Sequence, residues 1–181
     1  MTKGLWVIVC GPSGVGKDSV LRHARNLLAD DPRIVFAQRR VTRAAQPGTD
    51  DAALSREELQ RLLAANGAAW HWQAHGHDYV IDARYANLVD QGHVVVVNGS
   101  REHAATLRHR PDVRTVRITA PAETVRERLA ARGREGADAI ARRIERNATL
   151  DLEDAHQTIV NDGPLETAGA ALAACLRELA G

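Results

Sequence analysis

The sequence is poor in cysteine and has no long hydrophobic run. Only Cys10 and Cys175 occur among its 181 residues, too few for the disulfide framework of a small secreted domain. We therefore expect both thiols to be free and buried, in a reducing compartment. No apolar stretch approaches the roughly 20 residues that a membrane-spanning helix needs. The apolar run at residues 5–10 leads directly into a glycine-rich loop, unlike the flanks of a signal peptide core, so we expect a cytoplasmic protein.

The net charge is small, and lysines are few. The formal net charge is +1, so no global field indicates a nucleic acid or a membrane as partner. Among the 24 basic residues only Lys3 and Lys17 are lysines, and we attribute the arginine excess to a bias of overall composition. A lysine retained at position 17 then indicates a site whose chemistry needs a compact charge on a flexible stem.

Strand-like and helix-like segments alternate along the chain, which is typical of an α/β domain with a parallel sheet wrapped by helices. We treat residues 1–181 as one domain, because this length suits a single core. A hairpin is expected at residues 68–82 around Gly76, and Ser55 with Glu58 has the pattern of a capping box. The parallel strands are predicted at residues 5–10, 34–38, 94–97, 114–119 and 157–160, and helices at 17–28, 55–65, 83–91, 121–132, 138–147 and from 165 onward.

Residues 11–17 have the pattern Gly-x-x-x-x-Gly-Lys between the first strand and the first helix, which is the context that a Walker A phosphate loop requires. Glycines let backbone N–H groups surround phosphate oxygens, and the N-terminus of a helix favours an anion. The lysine can reach the β- and γ-phosphates. The pattern therefore predicts that ATP is bound by Gly11, Pro12, Ser13, Gly14, Val15, Gly16 and Lys17.

The residue after this loop departs from the motif. A hydroxyl that ligates Mg²⁺ normally follows the lysine, but here Asp18 follows it, and the hydroxyl comes one place later at Ser19. The valine-rich strand ends in Asn98, where P-loop enzymes often place an acidic metal ligand. Since a carboxylate can coordinate Mg²⁺ directly or through water, we predict Asp18 as the Mg²⁺ ligand and Ser19 as part of the nucleotide site. The alternative is that Asp18 only caps the helix.

Several polar residues follow the predicted strands, at the edge where ligands gather in parallel sheets. Arg43 follows the second strand, Ser100 and Arg101 follow the valine-rich strand, and Tyr79 lies on the hairpin that would overhang this edge. Arginine recognises phosphate bidentately, so we predict that these four residues bind an anionic acceptor. For any single arginine, a solvated surface role is the alternative.

Arginine-rich residues 128–135 and 142–143 indicate a mobile lid that would place cations around a transferred phosphoryl group. A charged surface helix with i,i+4 ion pairs is the alternative, and periodicity alone does not decide between them. His71, His75 and His77 crowd the hairpin, but no cysteine or carboxylate accompanies them at a ligand spacing. We therefore do not predict a zinc site.

The chain resembles the guanylate kinase group of P-loop kinases over nearly its whole length. The resemblance implies an α/β P-loop NTPase fold, with a five-stranded parallel sheet flanked by helices, a small antiparallel acceptor-binding insertion at about 39–82 and a helical lid at about 132–148. It also implies catalytic arginines at Arg132 and Arg143 and a nucleotide-binding residue at Asn161. The matching motifs are Gly-Pro-Ser-Gly-Val-Gly-Lys at 11–17, Thr-Arg at 42–43, Arg-Gly at 132–133, Ile-Ala-Arg-Arg at 140–143 and Val-Asn-Asp at 160–162.

The positions that read guanine in that group are not kept. Guanylate kinases follow Thr-Arg with a second arginine and then Gly-Glu, whereas this chain has Gln46 and Thr49 at those places, and residues 50–54 contain no tyrosine. A site built to hydrogen-bond guanine would lose these contacts, so GMP is a poor candidate for the acceptor.

These departures resemble a second family, the ribose 1,5-bisphosphate phosphokinases of phosphonate breakdown. That resemblance implies that ATP phosphorylates the 1-phosphate of ribose 1,5-bisphosphate to give phosphoribosyl diphosphate, so the partner is a small phosphorylated sugar, whereas the choice between monomer and homodimer stays open. A phosphate nucleophile is already anionic, so it needs no general base, and none is evident. The shared motifs are Gly-Lys-Asp-Ser at 16–19, Val-Asn-Gly-Ser-Arg at 97–101, Arg-Gly-Arg-Glu at 132–135 and Asn-Asp-Gly at 161–163.

Two alternatives stay open at the level of the sequence. One is a guanylate kinase, or another kinase of a small anionic acceptor. The other is a non-catalytic interaction module of the guanylate kinase type, although such modules lose the phosphate loop that this chain keeps.

Overall fold

A computed structural model of the chain describes residues 3–44, 49–74, 76–131, 133, 136–148 and 155–181, with the backbone only at 143 and 146–148. The elements are β1 (Leu5–Cys10), α1 (Lys17–Leu27), β2 (Ile34–Phe36), β3 (Arg40–Val41), β4 (Ala52–Ala53), α2 (Arg56–Ala64), β5 (Ala68–Ala74), β6 (His77–Asp82), α3 (Arg84–Asp90), β7 (Val94–Asn98), α4 (Arg101–Leu107), β8 (Val113–Thr119), α5 (Ala122–Ala131), α6 (Ala137–Ala148), β9 (Gln157–Val160) and α7 (Leu165–Ala180).

The main sheet has five strands in the order β2-β7-β1-β8-β9, and every neighbouring pair is parallel. This arrangement confirms the predicted fold class. In β7 the run Val94 to Val97 is completely buried, as expected for a parallel strand covered on both faces. Because all five strands point the same way, the residues that follow them meet along one edge of the sheet.

The second sheet has four strands in the order β4-β3-β6-β5, within the segment expected to form the insertion. The hairpin of β5 and β6 is confirmed, and Gly76 at its turn has φ 76°. The predicted antiparallel insertion extends beyond this hairpin, because β3 pairs antiparallel with β6, and it also contains one parallel pair, between β3 and β4. Each has only two residues, too few to show a strand periodicity in the sequence.

Two hydrophobic clusters cover the two faces of the main sheet. Alternation along β1 sends Val7 and Val9 into the cluster with α1, α5 and α7, while Trp6 and Ile8 join the other cluster. That other cluster also holds Trp70 and further side chains of the second sheet. The second sheet is therefore joined to the main sheet by a shared core.

The predicted helix starts and ends are largely confirmed. Ser55 and Glu58 form a reciprocal capping box at α2, with Glu58 N donating to Ser55 Oγ at 3.1 Å and Ser55 N donating to Glu58 Oε2 at 2.7 Å. Ser100 caps α4, and Gly92 follows α3 with φ 96°. Cys10 and Cys175 are free and buried, as expected. Within the described residues, no helix is long and apolar enough to cross a bilayer.

Candidate active site

The phosphate loop joins β1 to α1 and is held in place by Asn161 and Arg128. Gly16 has φ 86°, and a Cβ atom there would lie 2.6 Å from Nδ2 of Asn161, so no larger residue fits. That same Nδ2 donates to the carbonyl oxygen of Val15 at 2.8 Å. Arg128 Nη1 donates to the carbonyl oxygens of Val15 at 3.2 Å and of Asn161 at 2.9 Å. Asn161 therefore anchors the loop itself, and its predicted contact with the nucleotide stays a prediction.

Asn98 links the lysine of the loop to the carboxylate that follows it. Lys17 Nζ donates to Asn98 Oδ1 at 2.7 Å and to the carbonyl oxygen of Gly99 at 3.2 Å. On its other side, Asn98 Nδ2 donates to Asp18 Oδ1 at 2.7 Å. An aspartate at position 98 would still pair with the lysine but would repel Asp18. The asparagine at 98 and the acid at 18 are therefore complementary departures from the usual P-loop pattern.

The surroundings of Lys17 disfavour its protonated form. Burial and, after it, the nearby charge of Arg39 lower the pKa of Lys17 from 10.5 to about 8, against the opposite effect of Asp18. A bound triphosphate would bring negative charge to this point and favour the protonated form. The lysine is thus placed where it gains most from an anionic ligand.

Arg39 and Arg43 share one buried carboxylate. Arg39 donates from Nε and Nη2 to the two oxygens of Asp51, at 2.8 and 2.9 Å. Arg43 Nη2 donates to Oδ2 of the same residue at 2.9 Å. Arg43 Nε is buried without a hydrogen-bond partner among the described residues. The Arg43 side chain is 21% exposed, against 11% for Arg39, so Arg43 is the more accessible of the two to a further anion.

Tyr79 lies beneath Arg39 and not at an open surface. Its ring centroid is 4.7 Å from Arg39 Cζ, and its other side stacks on Trp72 at 5.4 Å. Trp72 in turn stacks on His103 of α4 at 4.3 Å, and burial lowers the pKa of His103 to about 4. Trp70 and Trp72 are both buried. The predicted acceptor contact of Tyr79 is not tested by this arrangement and stays a prediction.

Ser100 and Arg101 stand at the start of α4, on the same edge as the phosphate loop. Ser100 Oγ accepts a hydrogen bond from His103 N at 3.1 Å. The charges of Lys17 and Arg101 both act on Cys10, whose pKa burial nevertheless raises to about 11. The Cys10 thiol is therefore protonated at neutral pH, and Arg101 lies close enough to the end of β1 for its charge to act on Cys10.

The predicted lid is described only in part. Arg132 lies outside the described residues, and at Arg143 only the backbone is described. Arg128, at the start of the arginine-rich segment, is bonded to the phosphate loop, and Ile140 of α6 is buried in the main core. A mobile lid therefore stays a prediction, with Arg128 better placed to support the loop than to move with a lid. Of the three histidines on the hairpin, His71 contacts Asp78 at 2.8 Å, and His75 lies outside the described residues.

The residues around Asp18 suit a hard cation that is shared with a phosphate. Asp18, Asp51 and Asn98 line one cleft at the sheet edge. Carboxylate oxygens are preferred ligands of Mg²⁺, which usually keeps several waters and binds through one or two carboxylates plus phosphate. No group of three or more metal-ligating side chains occurs within the described residues, so the chain offers no complete protein cage. These residues therefore suit an Mg²⁺ ion that binds together with the nucleotide and takes its remaining ligands from phosphate and water.

Comparison with known proteins agrees with this arrangement. A sequence model of the AAA domain matches residues 7–151. The ribose 1,5-bisphosphate phosphokinase PhnN of Thiobacillus denitrificans is 39% identical over 181 residues, covering 98% of this chain and 95% of the relative. The chain belongs to the ribose 1,5-bisphosphate phosphokinase family. Another member, from Methylobacterium radiotolerans, is 41% identical over 177 residues and covers 96% of this chain and 98% of its own.

Solved structures place this phosphokinase family member among guanylate kinase folds. A guanylate kinase from Anaplasma phagocytophilum superposes with a TM-score of 0.68 at 21% identity, over 98% of this chain and 86% of that one. At this identity the likeness concerns the fold alone. It confirms the predicted guanylate kinase-like architecture.

Sequence reasoning missed two residues of this site, Arg39 and Asp51. Arg39 directly follows the strand predicted at 34–38, so the edge argument that selected Arg43 could have selected it as well. Asp51 precedes a two-residue strand and carries no recognisable motif. Its burial depends on how the second sheet folds over the main one.

Proposed function

We propose that this chain is a ribose 1,5-bisphosphate phosphokinase. In this reaction an oxygen of the 1-phosphate of ribose 1,5-bisphosphate bonds to the γ-phosphorus of ATP, and the bond from that phosphorus to the β,γ-bridging oxygen breaks. The products are 5-phospho-α-D-ribose 1-diphosphate and ADP. The observation that carries the proposal is the identity of about 40% to phosphokinases of this name over nearly the full length of both chains.

The geometry of the phosphate loop supports nucleotide binding in this reaction. Residues 11–16 lead into the start of α1, where backbone N–H groups other than that of Pro12 can bind phosphate oxygens, and Lys17 adds a charge that can leave Asn98 for a phosphate oxygen. Ser19 lies in the first turn of the same helix. The attacking phosphate is anionic, so catalysis consists of positioning and charge stabilisation and needs no proton acceptor.

Mg²⁺ would be held by Asp18, with Asn98 orienting the carboxylate through their 2.7 Å hydrogen bond. A bound Mg²⁺ would neutralise phosphate charge in the transition state. The carboxylate beside the triphosphate makes nucleotide binding depend strongly on that metal, because without it Asp18 repels the ligand.

The acceptor would bind at the arginines of the same edge. Arg43, whose side chain is 21% exposed, can take one phosphate, and Arg101 at the start of α4 can take the other. Ser100 and Tyr79 are proposed to line this region. Arg132 and Arg143 are proposed to approach the γ-phosphate from the lid, as the family resemblance implies.

Phosphorus NMR of product formation tests the proposal. The protein is incubated with ATP, Mg²⁺ and either ribose 1,5-bisphosphate or GMP, and a Lys17→Met variant serves as the inactive control. We expect a new diphosphate signal with the ribose compound only, and none with the variant. Absence of that signal in the wild-type sample would reject the proposal, and product from GMP alone would replace it with a guanylate kinase.

A further inference from the structure

All three nitrogens of the Arg39 guanidinium are hydrogen-bonded. Nε and Nη2 donate to the two oxygens of the Asp51 carboxylate, and Nη1 donates to the carbonyl oxygen of Asn98 at 2.8 Å. The flat face lies over the Tyr79 ring, and the side chain is only 11% exposed. A guanidinium engaged at all three nitrogens and on one face has little capacity left for a phosphate, so its role differs from that of Arg43.

The contacts of Arg39 connect the two halves of the site. On one side, Asp51 also holds Arg43, the proposed ligand of the acceptor. On the other side, Asn98 holds both Lys17 and Asp18 through its side-chain amide. An unbroken series of hydrogen bonds therefore runs from the acceptor arginine to the phosphate loop, and Arg39 is its central member.

The aromatic side chains support this connection from below. Tyr79 and Trp72 belong to the second sheet, whereas His103 belongs to α4, which follows β7 directly. The stack thus begins under Arg39 and returns to the same strand end that Arg39 contacts through Asn98. His103 stays neutral because burial lowers its pKa to about 4, so no second cation opposes Arg39 from the far end of the stack.

We propose that Arg39 is a positioning residue for phosphoryl transfer, which fixes Arg43 relative to Lys17 and Asp18 without touching either substrate. This inference rests on the proposed function. The attacking oxygen must sit close to the γ-phosphorus and in line with the leaving oxygen, and a misplacement of about 1 Å can reduce the rate about 100-fold. Asp51 is the partner through which Arg39 acts on Arg43.

The test compares Arg39→Lys with Arg40→Lys. Lysine at 39 keeps the charge that acts on Lys17. It cannot reproduce the paired hydrogen bonds to Asp51, the hydrogen bond to Asn98 and the contact with the Tyr79 ring. We expect kcat to fall about 10–100-fold, while the dissociation constant for Mg·ATP stays near the wild-type value. Arg40 is the adjacent residue and pairs with Asp82 at 3.6 Å, so its variant should keep wild-type kinetics.

A second variant, Asp51→Asn, separates positioning from a purely structural role. It keeps the size of the side chain but leaves Arg39 and Arg43 without their counter-charge. We expect the KM for ribose 1,5-bisphosphate to stay equal or to fall, because the site becomes more cationic, while kcat falls. Because partial unfolding would also lower the apparent kcat at unchanged KM, the folded fraction of each variant is measured by circular dichroism and the rates are expressed per folded protein. The double variant with Arg39→Lys should lose no more activity than the worse single variant, since the two residues act as a unit.

The outcomes are distinct. A wild-type protein without activity on ribose 1,5-bisphosphate overturns both the proposed function and this inference. An active wild type whose Arg39→Lys variant keeps its kcat overturns the inference alone. The same holds if the variant changes only the KM of the acceptor, which would make Arg39 a substrate ligand, or if the double variant shows additive losses. If Arg39→Lys does not fold, the kcat and KM of Asp51→Asn decide.

Discussion

Lys17 lies where burial and the charge of Arg39 oppose its own charge, and this has a consequence for nucleotide binding. Its pKa is lowered to about 8, so free protein loses the proton above that pH. A bound phosphate favours the protonated form and raises this pKa. We therefore expect the affinity for Mg·ATP to be constant below pH 8 and to fall above it, by up to about tenfold per pH unit. Isothermal titration between pH 7 and pH 10 measures this.

The control for this prediction is Lys17→Arg. Arginine stays protonated throughout that range, so its variant should bind Mg·ATP more weakly but with little dependence on pH. An equal decline of affinity in the wild type and the variant would assign the effect to another group.

Asp18 carries a second prediction at the residue scale. Asp18→Asn keeps an oxygen that can accept the hydrogen bond from Asn98, but removes the charge that would hold Mg²⁺. We expect the Mg²⁺ concentration for half-maximal rate to rise about tenfold, equal to about 1.4 kcal/mol of lost metal affinity. Initial rates at fixed ATP and varied free Mg²⁺ measure it. Asp50→Asn is the matched control, because Asp50 lines the same cleft but pairs with Arg25. The alternative that Asp18 only caps the helix is wrong, because Gly16 is the N-cap and no side chain caps α1, so unchanged Mg²⁺ dependence in Asp18→Asn would leave Asp18 as a hydrogen-bond partner of Asn98 only.

Helices α1 and α7 approach each other closely at Gly169. A Cβ atom there would lie 2.7 Å from Cγ and 2.8 Å from Cβ of His23 on α1. Glycine to alanine usually stabilises a helix by about 0.5–1 kcal/mol. Here we expect Gly169→Ala to lower the free energy of unfolding by about 1–3 kcal/mol, because the helices must separate. Urea unfolding followed by circular dichroism measures the change.

Gly163→Ala is the control for that comparison. It precedes α7, and a Cβ atom there meets nothing within 4 Å, so no loss of stability is expected. His23→Ala combined with Gly169→Ala should recover part of the loss, since it removes the ring but not the Cβ contact. A Gly169→Ala variant as stable as the wild type would mean that the helices move apart freely.

Elements with a local signal could be predicted from the sequence, whereas short strands and long-range contacts could not. The motif at 11–17 and the apolar runs of β1 and β7 carry local signals, and these elements were located to within a residue or two. The strands β3 and β4 are two residues long and give no periodic signal. The hydrogen bonds of Lys17 and Asp18 to Asn98 span about 80 residues of chain, so they arise from the register of parallel strands. Asp51 became part of the site only through such packing.

At the scale of the whole molecule, ligand binding should raise the melting temperature. A non-hydrolysable ATP analogue with Mg²⁺ at 100 times its dissociation constant adds about 2.7 kcal/mol of stability. For a chain of this size that corresponds to about 5–11 °C. Lys17→Met should show little or no shift. A wild-type protein without a shift would favour the non-catalytic interaction module.

The shared core between the two sheets leads to a prediction about unfolding. All three tryptophans of the chain, Trp6, Trp70 and Trp72, belong to the cluster that joins the second sheet to the main sheet. Their fluorescence therefore reports on this junction, whereas far-ultraviolet circular dichroism reports on the helices throughout. We expect both signals to change at one urea midpoint, as in a two-state transition. A fluorescence midpoint clearly below the dichroism midpoint would show that the second sheet unfolds separately, and Arg39 would then bridge two bodies that move independently.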